Sequence, residues 1–137
     1  MRTALQQADV FIGVSKGNLL TAQGIRSMAD KAIIWAMANP NPEVMPQEAF
    51  AGGAAVVGTG RSNFPNQVNN VLDFPGLFRD ALDAGASGIT EATKWAATDC
   101  LAAMVDNPSA DCILPDPSHM SVAPKISHAV AQAALND

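Results

Sequence analysis

Apolar positions along the chain gather into three short unbroken runs, separated by stretches in which they recur every three or four residues. The first run, residues 8–15 (ADVFIGVS), is stopped by Gly13 and followed by Lys16-Gly17-Asn18. A run of this length without alternation reads as a strand buried on both faces. Thr21 then offers an N-cap to about two turns of helix, with Ile25, Met28 and Ala29 at helical spacing. Residues 32–38 (AIIWAMA) form the second run, which ends at Asn39-Pro40-Asn41-Pro42, where proline forbids both ladder bonds and helix continuation. Residues 45–51 (MPQEAFA) place Pro46 and Glu48 in a helical first turn, and Gly52-Gly53 closes it. The third run, residues 54–57 (AAVV), leads into Gly58-Thr59-Gly60-Arg61-Ser62.

Buried strands alternating with helices predict an α/β fold, with right-handed crossovers and a doubly wound parallel sheet of about three strands. Ligands of such sheets bind at the carboxyl ends of the strands. The loops at 13–15, 38–40 and 58–62 should therefore lie side by side. The rest of the chain reads as C-terminal helices: 66–72; 75–84, with Phe74, Leu77, Phe78, Ala81 and Leu82 on one face; 90–105; and a last one starting near Pro124, with Ile126, Ala129, Val130 and Ala133 in register.

A length of 137 residues suits one domain, and 48% hydrophobic against 15% charged residues is a globular balance. Aromatics are only 5%, so the core must rest on Ala, Val, Ile, Leu and Met. A net charge of −5 argues against nucleic-acid binding, which needs clustered positive charge. Cys100 and Cys112 lack Cys-x-x-Cys spacing and are expected to be small buried side chains in a reducing, cytoplasmic setting. No apolar run is long enough to cross a membrane, and residues 1–9 carry no secretion signal. His119 and His128 have no ligand-spaced neighbours for zinc, so they read as solvated or capping residues. Asp111 and Asp116 read as loop acids, and Trp35 and Trp95 as packing residues.

Several polar residues sit where ligands would. Asn39 at the exit of the second strand is most simply a turn residue, though its amide can also hold a carboxylate or a ribose. Gly13, Val14 and Ser15 end the first strand, where a missing Cβ lets backbone approach a flat ring. Asn69 and Asn70 stand side by side in an apolar stretch; either one caps a helix break at Phe74-Pro75-Gly76 and the other is solvated, or both meet a ligand. Arg61, after Gly58 and Gly60, could pair with an anion or bridge to an acidic neighbour, and the loop is not a Gly-x-Gly-x-x-Gly fingerprint.

Residues 56–76 (VVGTGRSNFPNQVNNVLDFPG) resemble bacterial malic enzymes, as do residues 8–15, the Ala38-Asn39-Pro40 turn and Ile113-Leu114-Pro115-Asp116-Pro117, in the same order. The resemblance spans nearly the whole chain. It implies a partial Rossmann-type fold, with residues 1–137 the C-terminal portion of the NAD(P)-binding domain of an enzyme that converts (S)-malate to pyruvate and CO2 using NAD or NADP and Mg or Mn. It implies malate contacts from Asn39 and Asn70, cofactor contacts from Gly13, Val14, Ser15 and Asn69, and metal ligands outside this chain. Lys16-Gly17-Asn18 departs from the loop usual in the family. The N-terminal substrate domain, the first Gly-rich β-α turn and the family's catalytic Tyr and Lys are not identifiable here, and the sequence has no Tyr. No catalytic residue is therefore expected in the chain, which alone should be inactive. A homo-oligomer, or association with an N-terminal half, is expected. The alternative is a non-catalytic nucleotide-binding or subunit-association module.

Overall fold

The computed structural model describes the backbone of residues 2–83 and 88–135 and the side chains of 3–79 and 88–135. The chain packs as two compact units, Met1–Val68 with Ser109–Cys112, and Asn69–Pro108 with Ile113–Asp137.

The first unit runs α1 (Arg2–Leu5), β1 (Val10–Gly13), α2 (Ala22–Ile25), β2 (Ile33–Ala36), α3 (Pro46–Ala51) and β3 (Val56–Thr59). Its three strands form a parallel sheet in the order β1-β2-β3, the α/β arrangement expected. Thr21 caps α2 as expected, its Oγ1 accepting from the Gly24 amide at 3.3 Å. Gly52 ends α3, and Gly53 takes φ +98°, a conformation that costs glycine little.

Side chains alternate across the sheet. Ile34, Ala36 and Val57, with Phe11 packed on them, join Leu5, Leu20, Ile25, Met28, Val44 and Ala49 in one core. The opposite face carries Val10 and Ile12, which are 44% and 66% exposed, beside their register partners Ile33 and Trp35, which are half-buried. The expectation that the first strand is buried on both faces is therefore corrected. In the order β1-β2-β3 this strand is outermost, and α2 and α3 pack on the Phe11 side only.

Residues 66–68 are not helical, contrary to the helix expected over 66–72. Asn66 takes φ +53° and is buried, and its Nδ2 donates to the carbonyls of Val57 (3.2 Å) and Ala110 (2.7 Å). Gln67 then bridges to Thr59 in parallel, and the Val68 amide donates to the Thr59 carbonyl at 2.9 Å. Two backbone acceptors outcompete the helix for this asparagine.

The second unit holds a 3₁₀ turn (Asn70–Leu72), α4 (Phe74–Asp83), α5 (Glu91–Ala103) and α6 (Val122–Ala134). Leu72, Leu77, Ala97, Val122, Ile126 and Val130 form its core. A Cβ on Gly76 would stand 2.8 Å from the Ala123 carbonyl oxygen, so glycine is what lets α4 lie close to α6. Thr90 and Thr93 make a reciprocal capping box at the start of α5. Pro124 falls in the first turn of α6, where its missing N–H is harmless. Of the face expected on the helix over 75–84, Leu77 is buried while Phe74 and Phe78 are about half exposed and meet edge-on at 5.3 Å between ring centroids. The side chains of Ala81 and Leu82, and Ala84 itself, lie outside the described residues.

Three packing expectations fail. Trp95 is 64% exposed, because α5 buries Thr93 and Ala97 and Trp95 lies between them on the outer side. Cys112 is exposed in a tight turn, and Cys100 is only half-buried. No helix among the described residues is long and apolar enough to cross a membrane.

Candidate site at the carboxyl edge of the sheet

The register pairs Gly13 with Ala36 and Ala36 with Thr59, so the three strands end level and their exit loops lie side by side, as expected. The loops after β1 and β2 are joined along their length. The Asn18 amide donates to the Pro42 carbonyl at 3.0 Å, and the amides of Leu19 and Leu20 donate to the Glu43 carbonyl at 2.7 and 2.9 Å. Gly17 lies so close to Asn41 that a Cβ there would come within 2.8 Å of its backbone oxygen. That close approach explains the glycine in Lys16-Gly17-Asn18.

Glu43 is completely buried between these loops. Its Oε1 accepts from the Ser15 amide at 2.9 Å and faces the Ser15 hydroxyl at 3.4 Å, while its Oε2 accepts from the Ala38 amide at 3.0 Å. Burial pushes the carboxyl up, but the amides of Ser15, Ala38 and Glu43 itself, with the Ser15 hydroxyl, outweigh it and hold the group below the usual carboxylate range. Sequence reasoning missed Glu43. The available signal was a lone acid between Pro42 and Val44 directly after a strand exit, within reach of backbone donors.

Around this anchor the structure brings together four of the expected residues. Gly13 is buried, and a Cβ on it would stand 2.5 Å from the Glu43 carboxylate, so the missing side chain makes room for Glu43. Val14 is 77% exposed, and Ser15 and Asn39 are also exposed. Asn39 precedes Pro40 through a cis peptide bond.

Asn69 and Asn70 belong to the second unit. Asn69 caps the 3₁₀ turn, its Oδ1 accepting from the Val71 amide at 3.0 Å, and Asn70, which opens that turn, is exposed. Three residues on, Asp73 has one carboxylate oxygen buried without a partner, and burial raises its carboxyl above the ordinary range. Among the described residues Arg61 pairs with no acidic side chain; its Nε donates to Asn63 at 3.1 Å and its guanidinium lies 5.9 Å over the Phe64 ring. The imidazole of His119 engages the Ser121 amide and hydroxyl, and Asp116 accepts from Ser118 within their loop. Among the described residues no group of three or more His, Cys, Asp or Glu side chains is placed to hold a metal ion.

The family described as malic enzyme, NAD binding domain, matches residues 3–135. The chain belongs to this family. It is 54% identical over 98% of its length to the bifunctional malic/malolactic enzyme of Bacillus subtilis, of which it spans 33%. It is 44% identical over 93% of its length to the NAD-dependent malic enzyme of Geobacillus stearothermophilus, of which it spans 27%. Among solved structures, the malic enzyme of Pyrococcus horikoshii superposes with a TM-score of 0.94 at 42% identity, over 98% of this chain and 32% of that one. The chain thus spans between 13% and 36% of the curated malic enzymes it matches, and its parallel sheet is the Rossmann-type arrangement of their cofactor domains.

Proposed function

We propose that residues 1–137 are the C-terminal portion of a malic-enzyme NAD(P)-binding domain, in a protein that oxidatively decarboxylates (S)-malate to pyruvate and CO2. The observation that carries this reading is the level carboxyl edge of the β1-β2-β3 sheet, with exposed Val14, Ser15 and Asn39 braced by Glu43, in a chain matched by that family over residues 3–135. When bound, NAD or NADP would supply the hydride acceptor for the malate C2–H, and a divalent metal such as Mg or Mn would supply a Lewis acid for the resulting 2-oxo group, which eases loss of the β-carboxylate as CO2. We assign the metal ligands to residues outside this chain.

What the chain contributes is binding and orientation. The backbone of Gly13, Val14 and Ser15 forms a ledge for the cofactor. Asn69 has its carbonyl oxygen committed to Val71, so it offers the nicotinamide amide its NH2 donor. The amides of Asn39 and Asn70 face the carboxylates of malate and pyruvate. Assay of the protein that carries this chain tests the reading. Malate-dependent, Mn- or Mg-dependent reduction of NAD or NADP is expected, and its absence in folded protein that also fails to bind NADH or NADPH would overturn it.

A second reading, a subunit-association module, is favoured by the exposed apolar residues of β1. It accommodates either a homo-oligomer or pairing with an N-terminal half, and it is compatible with the first.

A further inference from the structure

Glu43 is the one charged residue among those the described structure buries, and the reaction outlined above gives it no part. Its two oxygens do not serve a single element. One takes the amide of Ser15, the residue after exposed Val14, and the other takes the amide of Ala38, the residue before Asn39. Farther along, toward α2 and α3, the same two loops are joined by backbone hydrogen bonds from Asn18, Leu19 and Leu20. The carboxylate adds a join of its own where the loops leave the sheet, two residues beyond the ends of β1 and β2.

We propose that Glu43 is a positioning residue, which locks the cofactor-side loop after β1 to the substrate-side loop after β2 so that Ser15 and Asn39 present one rigid wall. This rests on the malic-enzyme reading of those loops. Two features of the site support it. All the donors aimed at the carboxylate are N–H or O–H groups, so the position requires acceptors on both oxygens, which an ionised carboxylate alone supplies. Gly13 is also kept free of a Cβ where one would collide with that carboxylate. A buried acid is a poor choice if stability is the only demand, since an apolar side chain of similar volume often does as well or better.

Glu43→Gln separates positioning from bulk. Whichever way the amide turns, its NH2 group faces either the Ser15 or the Ala38 N–H, so one loop is released while shape is kept. In the protein that carries this chain, KM for NAD(P) and for malate should each rise about tenfold, with kcat changed by less than about threefold. Hydrogen exchange at the Ser15 or Ala38 amide should quicken about tenfold or more. Glu43→Asp keeps both acceptors but is too short to span both loops. It should shift the same constants, and it decides the matter if the Gln variant does not fold. A folded variant with both KM values and both exchange rates unchanged, even at lowered Tm, overturns the positioning role while leaving the malic-enzyme reading intact. A wild-type protein that neither binds NADH or NADPH nor reduces NAD(P) with malate overturns that reading, and the proposal with it.

Discussion

The carboxyl group of Glu43 feels burial, which favours its neutral form, and three backbone amides with a hydroxyl, which favour its charge; the donors prevail. A folded pKa below the ordinary 4.5 means that Glu43 contributes stability at neutral pH, and that this contribution is lost as pH falls below 4.5 through the lowered folded value. Acid titrations followed by circular dichroism should therefore show a shallower loss of stability for Glu43→Gln than for the wild type over that window. Asp73 has the opposite sign. Burial raises its carboxyl above 3.8 and leaves one oxygen unpaired, so its ionisation costs stability as pH rises through the folded value. Asp73→Asn is expected to stabilise the fold at pH 7 by up to about 1 kcal/mol, with the gain vanishing in acid; a lower Tm at pH 7 would refute this. The paired asparagines separate by kinetics. Asn70→Ala should lower kcat/KM about ten- to hundredfold by removing one charge-assisted hydrogen bond to malate, whereas Asn69→Ala should mainly raise the cofactor KM. Because Asn69 also caps the 3₁₀ turn, it should lose thermal stability as well, and the exposed Asn70 should not. Loss of stability in both variants with normal kinetics would reduce the pair to a cap.

At the scale of elements, close approach decides what each glycine and each cap is worth. Gly13→Ala would bring a methyl group within 2.5 Å of the Glu43 carboxylate and 2.7 Å of the Phe11 ring. It is expected to cost about 1–3 kcal/mol in denaturant titrations, a cost that Gly53→Ala should not match through contact, since nothing lies near its Cβ position. These elements differ in how plainly the sequence shows them. The strands were legible because each is a short apolar run ended by Gly or Pro, and α2 and α3 were legible because Thr21 and Pro46 are local start signals. Residues 66–68 were not, because the bond that pulls Asn66 out of a helix comes from Ala110, 44 positions along the chain. Exposure of β1 was hidden for a related reason. A continuous apolar run says that a strand can be covered, while its place at the end of the strand order settles whether it is. Gly13 was recognised as a site of close approach, but what approaches it is Glu43, which no local pattern announces.

At the scale of the whole molecule, the outer edge of the sheet is the feature that most shapes behaviour. Val10 and Ile12 stand 44% and 66% exposed on alternate positions of β1, Val14 just beyond it is 77% exposed, and among the described residues the strand has a hydrogen-bonded neighbour strand on one side only. An apolar edge of this kind is a template for a further strand or a second chain, and natural edges usually carry charge, proline or a bulge to prevent it. Within β1, Val10–Gly13, there is no charge and no proline. Residues 1–137 on their own are therefore expected to associate, with mass by light scattering rising with protein concentration. The net charge of −5 opposes close approach at low salt, so association should strengthen as salt screens it. Ile12→Lys places a charge on the open edge at a position where little buried area is lost, and it should return the chain to a monomer with Tm changed by no more than a few degrees. A compact monomer at every concentration and salt would show that this edge needs no partner, and would remove the support it lends to subunit association.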